Sequence, residues 1–241
     1  KINLENNTFT LCRANYIPVT NYLKLLKNYE NENDLTTWED LTINLSRVQF
    51  LFAHHDFIKE LDKFVLDLYK NILNKLGWDE KKNDQDNTKL LRSMVLAMTG
   101  LSDHEKVLNE SKKRFNNYLR NGELNPNIKG VVYSLNAYTG DKNTYTKLKE
   151  LYHKAKLQEE KNRLLAALST FKQEDLLKET LRFSMSKDVK IQDKLYGILG
   201  VSSNTYSKDM AWKFFKENFD EIYKIYKHTS HIMPNLIKGL C

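Results

Sequence analysis

Apolar residues recur along this 241-residue chain at the spacing of one helix face. Two successive stripes advance in steps of three and four residues, separated by a polar break at 54–56. The stripes are Trp38, Leu41, Leu45, Val48 and Phe52, then Ile58, Leu61, Val65, Leu68, Ile72 and Leu76. Such spacing puts the side chains on one side of a helix. Gly77 predicts the end of the second helix, because glycine adopts positive φ easily.

The same pattern continues to the end of the chain, with boundaries marked by capping and turn residues. The polar run 79–86 predicts a linker, and Asp103 predicts the N-cap of the following helix. Asn125-Pro126 predicts a cap followed by the first helical residue, and Gly140-Asp141 predicts the end of one helix and the cap of the next. The remaining glycines occur singly and are expected at helix ends.

The periodicity predicts about thirteen helices joined by short loops. With 8 Gly and 3 Pro, the chain has too few turn residues for a β-sandwich, and no alternating run is long enough for a sheet. Helix pairs recur about every 35–45 residues, which is typical of helical repeats. We therefore predict an all-α fold over residues 1–241 as a single domain. It would be a right-handed superhelical stack of antiparallel helix pairs, a HEAT/armadillo-like solenoid with a concave side; a compact bundle is the alternative.

The charge of the chain does not indicate a nucleic-acid partner. There are 38 basic and 31 acidic residues, which gives a net charge of +7. The densest basic cluster is Lys112-Lys113-Arg114, and elsewhere lysines alternate with Glu and Asp. Phosphate binding requires convergent positive charge, so we expect no nucleic-acid partner. No apolar run approaches the length of a membrane span, and none is predicted.

No local motif for a metal or a catalytic centre is present. His104-Glu105 begins like the H-E-x-x-H zinc motif, but the fifth position is Leu108. His228 and His231 could share a helix face, yet no nearby Glu or Cys completes a tetrahedral site. Gly-rich phosphate loops and the G-x-S-x-G elbow are also missing from the sequence. We predict neither a catalytic residue nor a cofactor in this chain.

Two cysteines, Cys12 and Cys241, are too few for disulfide bonds to stabilise a chain of this size. Cys12 lies among apolar residues and is predicted to be part of a core rather than a nucleophile. The cysteine content favours a reducing compartment, and we expect the cytoplasm. Because the sequence opens without Met and without an apolar signal region, we also expect a piece of a longer protein.

One polar segment carries a candidate binding site. The run 158–163 opens a helix that continues with apolar residues. Glu159 and Arg163 are spaced i,i+4 and predict an ion pair that suits the helix dipole. The functional alternative is that Lys161 and Arg163 project into the concave surface and meet a negatively charged group.

Five segments together carry a resemblance to a known family. They are Leu35–Leu41, Asp103–Phe115, Gln158–Leu168, Val189–Asp193 and Ala211–Asn218. In this order and at these separations they resemble the C-terminal helical domain of the M1 zinc aminopeptidases, in particular the puromycin-sensitive branch. The resemblance extends over essentially the whole chain. Phe219 departs from it, since relatives usually have Trp there, and we expect that change to affect packing only.

The resemblance implies a non-catalytic domain of a peptide hydrolase. The G-x-M-E-N and H-E-x-x-H segments of the family are missing, so zinc and catalysis are expected in a separate catalytic domain. A helical bowl would close over that domain, enclose the active-site cavity and restrict access to short peptides. Its partners would be peptide substrates and the N-terminal and catalytic domains of the same enzyme. Arg13, Lys161 and Arg163 are the candidate contacts for a peptide carboxylate. The alternative is an independent armadillo-like protein-interaction module.

Overall fold

The computed structural model describes residues 2–207, 209–229 and 231–240, and every regular element in these ranges is helical. Fourteen α-helices and two short 3₁₀ helices follow one another within the described residues. The all-α prediction is therefore confirmed, and the predicted number of about thirteen helices is close to the observed one. Cys241 lies outside the described residues.

The chain divides into two compact units, residues 1–131 and residues 132–241. The first contains α1 (Ile2–Arg13), α2 (Val19–Leu26), α3 (Leu35–Phe52), α4 (Ile58–Leu76), α5 (Asp86–Leu101) and α6 (Glu105–Asn121). The boundary falls within α7 (Lys129–Tyr138). The second contains α8 (Lys142–Lys154), α9 (Gln158–Leu168), α10 (Glu174–Met185), α11 (Lys194–Ser202), α12 (Met210–Glu217), α13 (Phe219–Tyr226) and α14 (Ile232–Leu240). The 3₁₀ helices are Lys27–Tyr29 and Ile191–Asp193.

Within each unit, helices pack against the next helix along the chain and often against the one after it. In the first unit α3 contacts α4 and α5, and in the second α9 contacts α10 and α11. An amphipathic helix cannot bury its apolar face alone, so each neighbour supplies part of the covering surface. This is the local packing of stacked helix pairs.

The core of the first unit is built from the two predicted apolar stripes. Trp38 is fully buried, its ring centroid lies 4.6 Å from that of Tyr69, and its indole N–H donates to the Glu32 carbonyl at 3.1 Å. A buried indole needs such a partner, because an unpaired N–H in the core is costly. Cys12 packs against this core and is partly buried, as its apolar neighbours predict.

Several helix boundaries follow the sequence signals. α3 ends and α4 begins on either side of the polar break at 54–56, and Gly77 ends α4 with a φ of 58°. Asp141 caps α8, since its carboxylate accepts the Thr144 N–H at 2.9 Å. These boundaries are local in origin, which explains why the sequence identifies them.

Two other boundaries differ from the prediction. Asp103 has a φ of 61° and lies in the turn after α5, so His104 becomes the N-cap of α6, its imidazole accepting the Val107 N–H. Residues 126–128 form a turn, and α7 begins only at Lys129. The Asn125 side chain accepts the Asn127 N–H at 2.8 Å, which stabilises that turn in place of a helix start.

The expectation that the remaining glycines mark helix ends is wrong for α11. Gly197 and Gly200 lie inside this helix and face serines of neighbouring segments. A Cβ at Gly197 would come within 2.9 Å of the Ser184 Cβ, and one at Gly200 within 2.9 Å of the Ser169 Cβ. These glycines are required by close helix packing, which a single sequence does not reveal.

Candidate functional site

The predicted site lies on the first two turns of α9. We call residues 158–163 the α9 segment. All six are polar or charged, whereas the remainder of α9 is mostly buried: Leu164, Leu165, Ala167 and Leu168 are each at most 1% exposed. The buried half anchors the helix in the second unit, so the α9 segment is a polar extension of a fixed apolar helix.

Arg163 is held by two carboxylates of its own helix. One guanidinium nitrogen lies 3.2 Å from Glu160 Oε2, and another pairs with Glu159. The predicted i,i+4 pair with Glu159 is thereby confirmed. Glu160 is the more enclosed partner, with a side chain 13% exposed against 73% for Glu159, and it also accepts the Tyr133 hydroxyl at 2.6 Å. Arg163 therefore has one fixed partner and one that faces solvent.

Lys161 lies over an aromatic ring. Its ammonium is 5.2 Å from the centroid of Tyr152, a cation–π contact, and the Tyr152 hydroxyl donates to the Asp188 carbonyl at 3.3 Å. Burial raises the pKa of Tyr152, and the nearby charges of Asp193 and Asp188 act in the same direction. The ring thus stays neutral at physiological pH and orients the lysine side chain.

Arg13 lies on a different helix from Lys161 and Arg163. It is the exposed last residue of α1 and belongs to the first unit. Lys161 and Arg163 share the α9 segment in the second unit. The structure thus places two of the three predicted cations on one helix, two positions apart and with different partners, whereas Arg13 belongs to the other unit.

A buried acid, Asp193, is hydrogen-bonded to the α9 segment and is followed by a buried lysine, Lys194; the local sequence pattern indicates a role for neither. Asp193 is 3% exposed and accepts hydrogen bonds from Gln158 Nε2 at 2.9 Å and Asn162 Nδ2 at 3.0 Å. Lys194 is 6% exposed and donates to the carbonyls of Met185 and Ser186. Burial lowers the pKa of the Lys194 ammonium, and the charge of Glu221 opposes that effect. The sequence signal for Asp193 is the run 189–193, which carries the family resemblance; Lys194 follows that run directly.

Tyr226 of α13 donates its hydroxyl to the carbonyl of Ile191, the first residue of the 3₁₀ helix that ends at Asp193. Burial raises the pKa of Tyr226 to about 12, and the charge of Asp193 adds to the rise. An unfolded tyrosine titrates near 10. Between these values the unfolded chain releases a proton that the folded chain keeps, so the stabilising contribution is complete below about pH 10 and is lost above it.

We therefore expect the free energy of unfolding to fall as the pH rises from about 10 to 12, and to fall less steeply in Tyr226→Phe, which has no hydroxyl to ionise. Urea unfolding followed by far-UV circular dichroism across this range measures both slopes. Identical slopes for the two proteins would show that Tyr226 does not titrate differently in the folded and unfolded chains.

The described residues offer no ligand set for a metal. Within 2–207, 209–229 and 231–240, no group of three or more His, Cys, Asp or Glu side chains is arranged to hold an ion. The residues in these described ranges do not fit a zinc site. In the same ranges, no helix combines the length and apolar character needed to cross a bilayer.

Comparison with known proteins gives matches along the whole chain. A family model described as ERAP1-like C-terminal domain matches residues 1–241. Alanine/arginine aminopeptidase of Saccharomyces cerevisiae is 28% identical, with 98% of this chain and 28% of that protein aligned. Aminopeptidase M1-B of Oryza sativa subsp. japonica is 26% identical (96% and 27% aligned), and puromycin-sensitive aminopeptidase of Caenorhabditis elegans is 23% identical (94% and 24% aligned). The chain spans about a quarter of the length of these curated relatives.

Proposed function

Because the chain belongs to the ERAP1-like C-terminal domain family, we propose that it is the non-catalytic C-terminal domain of a zinc aminopeptidase that removes N-terminal residues from peptides. The observation that supports this is the extent of the matches, which cover nearly all of this chain and about a quarter of each M1 relative. Residues 1–241 would act as one domain of such an enzyme, and zinc would be bound by its catalytic domain. The cytoplasm is the proposed compartment, since Cys12 is a free thiol.

In this proposal the helices form a bowl that encloses the active-site cavity and selects peptides by size. The N-terminal and catalytic domains of the enzyme would be its partners, and the far end of a peptide would reach the α9 segment. A guanidinium binds a carboxylate through two parallel hydrogen bonds. Glu159 is an exposed partner of Arg163, and exposed ion pairs contribute little to stability. A peptide carboxylate can therefore replace Glu159 while Glu160 keeps the arginine in place.

Charge reversal of Arg163 in an enzyme that carries this chain tests the proposal. We expect Arg163→Glu to raise KM about tenfold for peptides long enough to reach the α9 segment, because a hydrogen bond between charged groups is lost and a repulsion is added. KM for a single-residue chromogenic substrate should stay unchanged, since that substrate does not reach the segment. The measurement is steady-state kinetics on a peptide length series.

Lys178→Glu is the matched control. Lys178 is an exposed cation of α10 that pairs with Glu174 at 2.5 Å with the same i,i+4 spacing, but it is not part of the α9 segment. The Lys178→Glu substitution should leave KM unchanged for every peptide. Equal effects of Arg163→Glu on long and single-residue substrates would contradict the proposed peptide contact.

A further inference from the structure

Helix α9 begins without a capping side chain. Its N-cap residue is Leu157, which offers no hydrogen-bond acceptor to the free N–H groups of the first turn. Leu157 is also 71% exposed, so it does not anchor the helix start by burial. Some other contact must hold this end of the helix if Lys161 and Arg163 are to have fixed positions.

Asp193 supplies that contact through a closed triangle of hydrogen bonds. Gln158 donates to Asp193 Oδ2 at 2.9 Å, Asn162 donates to Asp193 Oδ1 at 3.0 Å, and Gln158 also donates to Asn162 Oδ1 at 3.3 Å. Gln158 and Asn162 lie one turn apart on α9, so a single carboxylate ties the first turn to the second. Its negative charge also suits the positive end of the helix dipole.

The carboxylate is itself held in place from two sides. It ends the 3₁₀ helix Ile191–Asp193, whose first carbonyl accepts the Tyr226 hydroxyl. The next residue, Lys194, is tied to the carbonyls that end α10. Burying both Asp193 and Lys194 carries a desolvation cost, which these hydrogen bonds offset. Asp193 is therefore a fixed point against which α9 is oriented.

We propose that Asp193 is a positioning residue for peptide contact: it sets the α9 segment so that Lys161 and Arg163 are presented in fixed positions. This inference rests on the proposed function of the two cations. Asparagine cannot take over the role, because its NH₂ group would face a donor of Gln158 or Asn162. Turning either the Asn162 or the Gln158 amide so that its oxygen accepts that NH₂ would break the hydrogen bond that Gln158 donates to Asn162.

The first test uses hydrogen exchange in the 241-residue chain. We expect Asp193→Asn to speed exchange of the Lys161, Asn162 and Arg163 backbone amides about tenfold, since a buried hydrogen-bond partner is lost. The control is Ser184→Ala, which removes a buried hydroxyl of α10 that donates to the Thr180 carbonyl and has no hydrogen bond to the α9 segment. Unchanged exchange in Asp193→Asn, or equal acceleration in Ser184→Ala, would overturn the inference.

The second test is kinetic and uses an enzyme that carries this chain. Asp193→Asn should raise KM for long peptides about tenfold, because small displacements of binding groups are costly, and should leave kcat on a single-residue substrate unchanged. Ser184→Ala should change neither. If Arg163→Glu raises KM for long peptides and Asp193→Asn does not, the positioning role is refuted alone. If neither variant alters KM, the proposed function of the α9 segment fails, and the positioning role fails with it.

Discussion

Adding one methyl group at Gly197 is expected to lower the free energy of unfolding by about 2 kcal/mol, in the range measured for overpacked cores. The new Cβ would approach the Ser184 Cβ to 2.9 Å and the Leu165 Cδ1 to 3.2 Å, and it would collide with the Ser184 hydroxyl. Ser184 is fully buried on α10, and its hydroxyl donates to the Thr180 carbonyl at 2.7 Å, so it has little freedom to move away. Helices α10 and α11 would have to separate.

The sign of this effect is informative because local propensity predicts the opposite. Alanine is favoured over glycine inside a helix by about 1 kcal/mol. An exposed Gly197 would therefore make the alanine variant more stable. Urea unfolding of Gly197→Ala measures the balance between helix propensity and the lost fit between α10 and α11.

A second substitution separates the steric cause from a general loss of stability. Ser184→Gly removes both the hydroxyl and the Cβ that meet the new methyl group. In the double variant Gly197→Ala/Ser184→Gly, the alanine should cost less than it does in the parent chain, which gives a favourable coupling energy. Additive effects, or a more stable Gly197→Ala chain, would contradict the packing described for α11.

Local signals account for the part of the fold that the sequence predicts. The stripes of α3 and α4, the glycine that ends α4 and the Asp141 cap of α8 all depend on neighbours within a turn or two of helix. Apolar periodicity also predicts the all-α class, and the ordered motifs predict a relationship to M1 aminopeptidases that the matches confirm. Each of these features is encoded at short range or by a long ordered pattern.

Tertiary contacts explain the features that the sequence does not reveal. Gly197 has the appearance of a helix breaker until Ser184 is placed against it. His104 replaces Asp103 as a cap because the chain turns with positive φ at Asp103. Neither the packing partner of a glycine nor the backbone conformation of a turn residue can be read from periodicity alone.

One part of the candidate site can be predicted from the sequence, and another part cannot. The pair between Glu159 and Arg163 is predictable because both residues lie on one helix face. The bonds from Gln158 and Asn162 to Asp193 cross 35 and 31 positions of the chain, and nothing in the local pattern of α9 indicates them. Long-range polar contacts of this kind require the structure.

The largest functional difference is expected between the isolated chain and an enzyme that contains it. The 241-residue chain offers no H-E-x-x-H motif, and its described residues offer no metal-ligand group. Peptide hydrolysis by such enzymes depends on a metal-activated water. The chain alone should therefore bind no stoichiometric zinc and should not hydrolyse aminoacyl anilides, whereas the longer enzyme should do both.

The most direct measurement of the central claim is zinc content and aminoacyl-anilide hydrolysis, determined side by side for the 241-residue chain and for a longer protein in which it follows a catalytic domain, as the proposed function requires. We predict no zinc and no activity in the chain, and zinc with activity in the longer protein. Zinc and hydrolysis in the chain alone would contradict a non-catalytic domain. A longer protein without either would contradict the aminopeptidase assignment and favour an independent protein-interaction module.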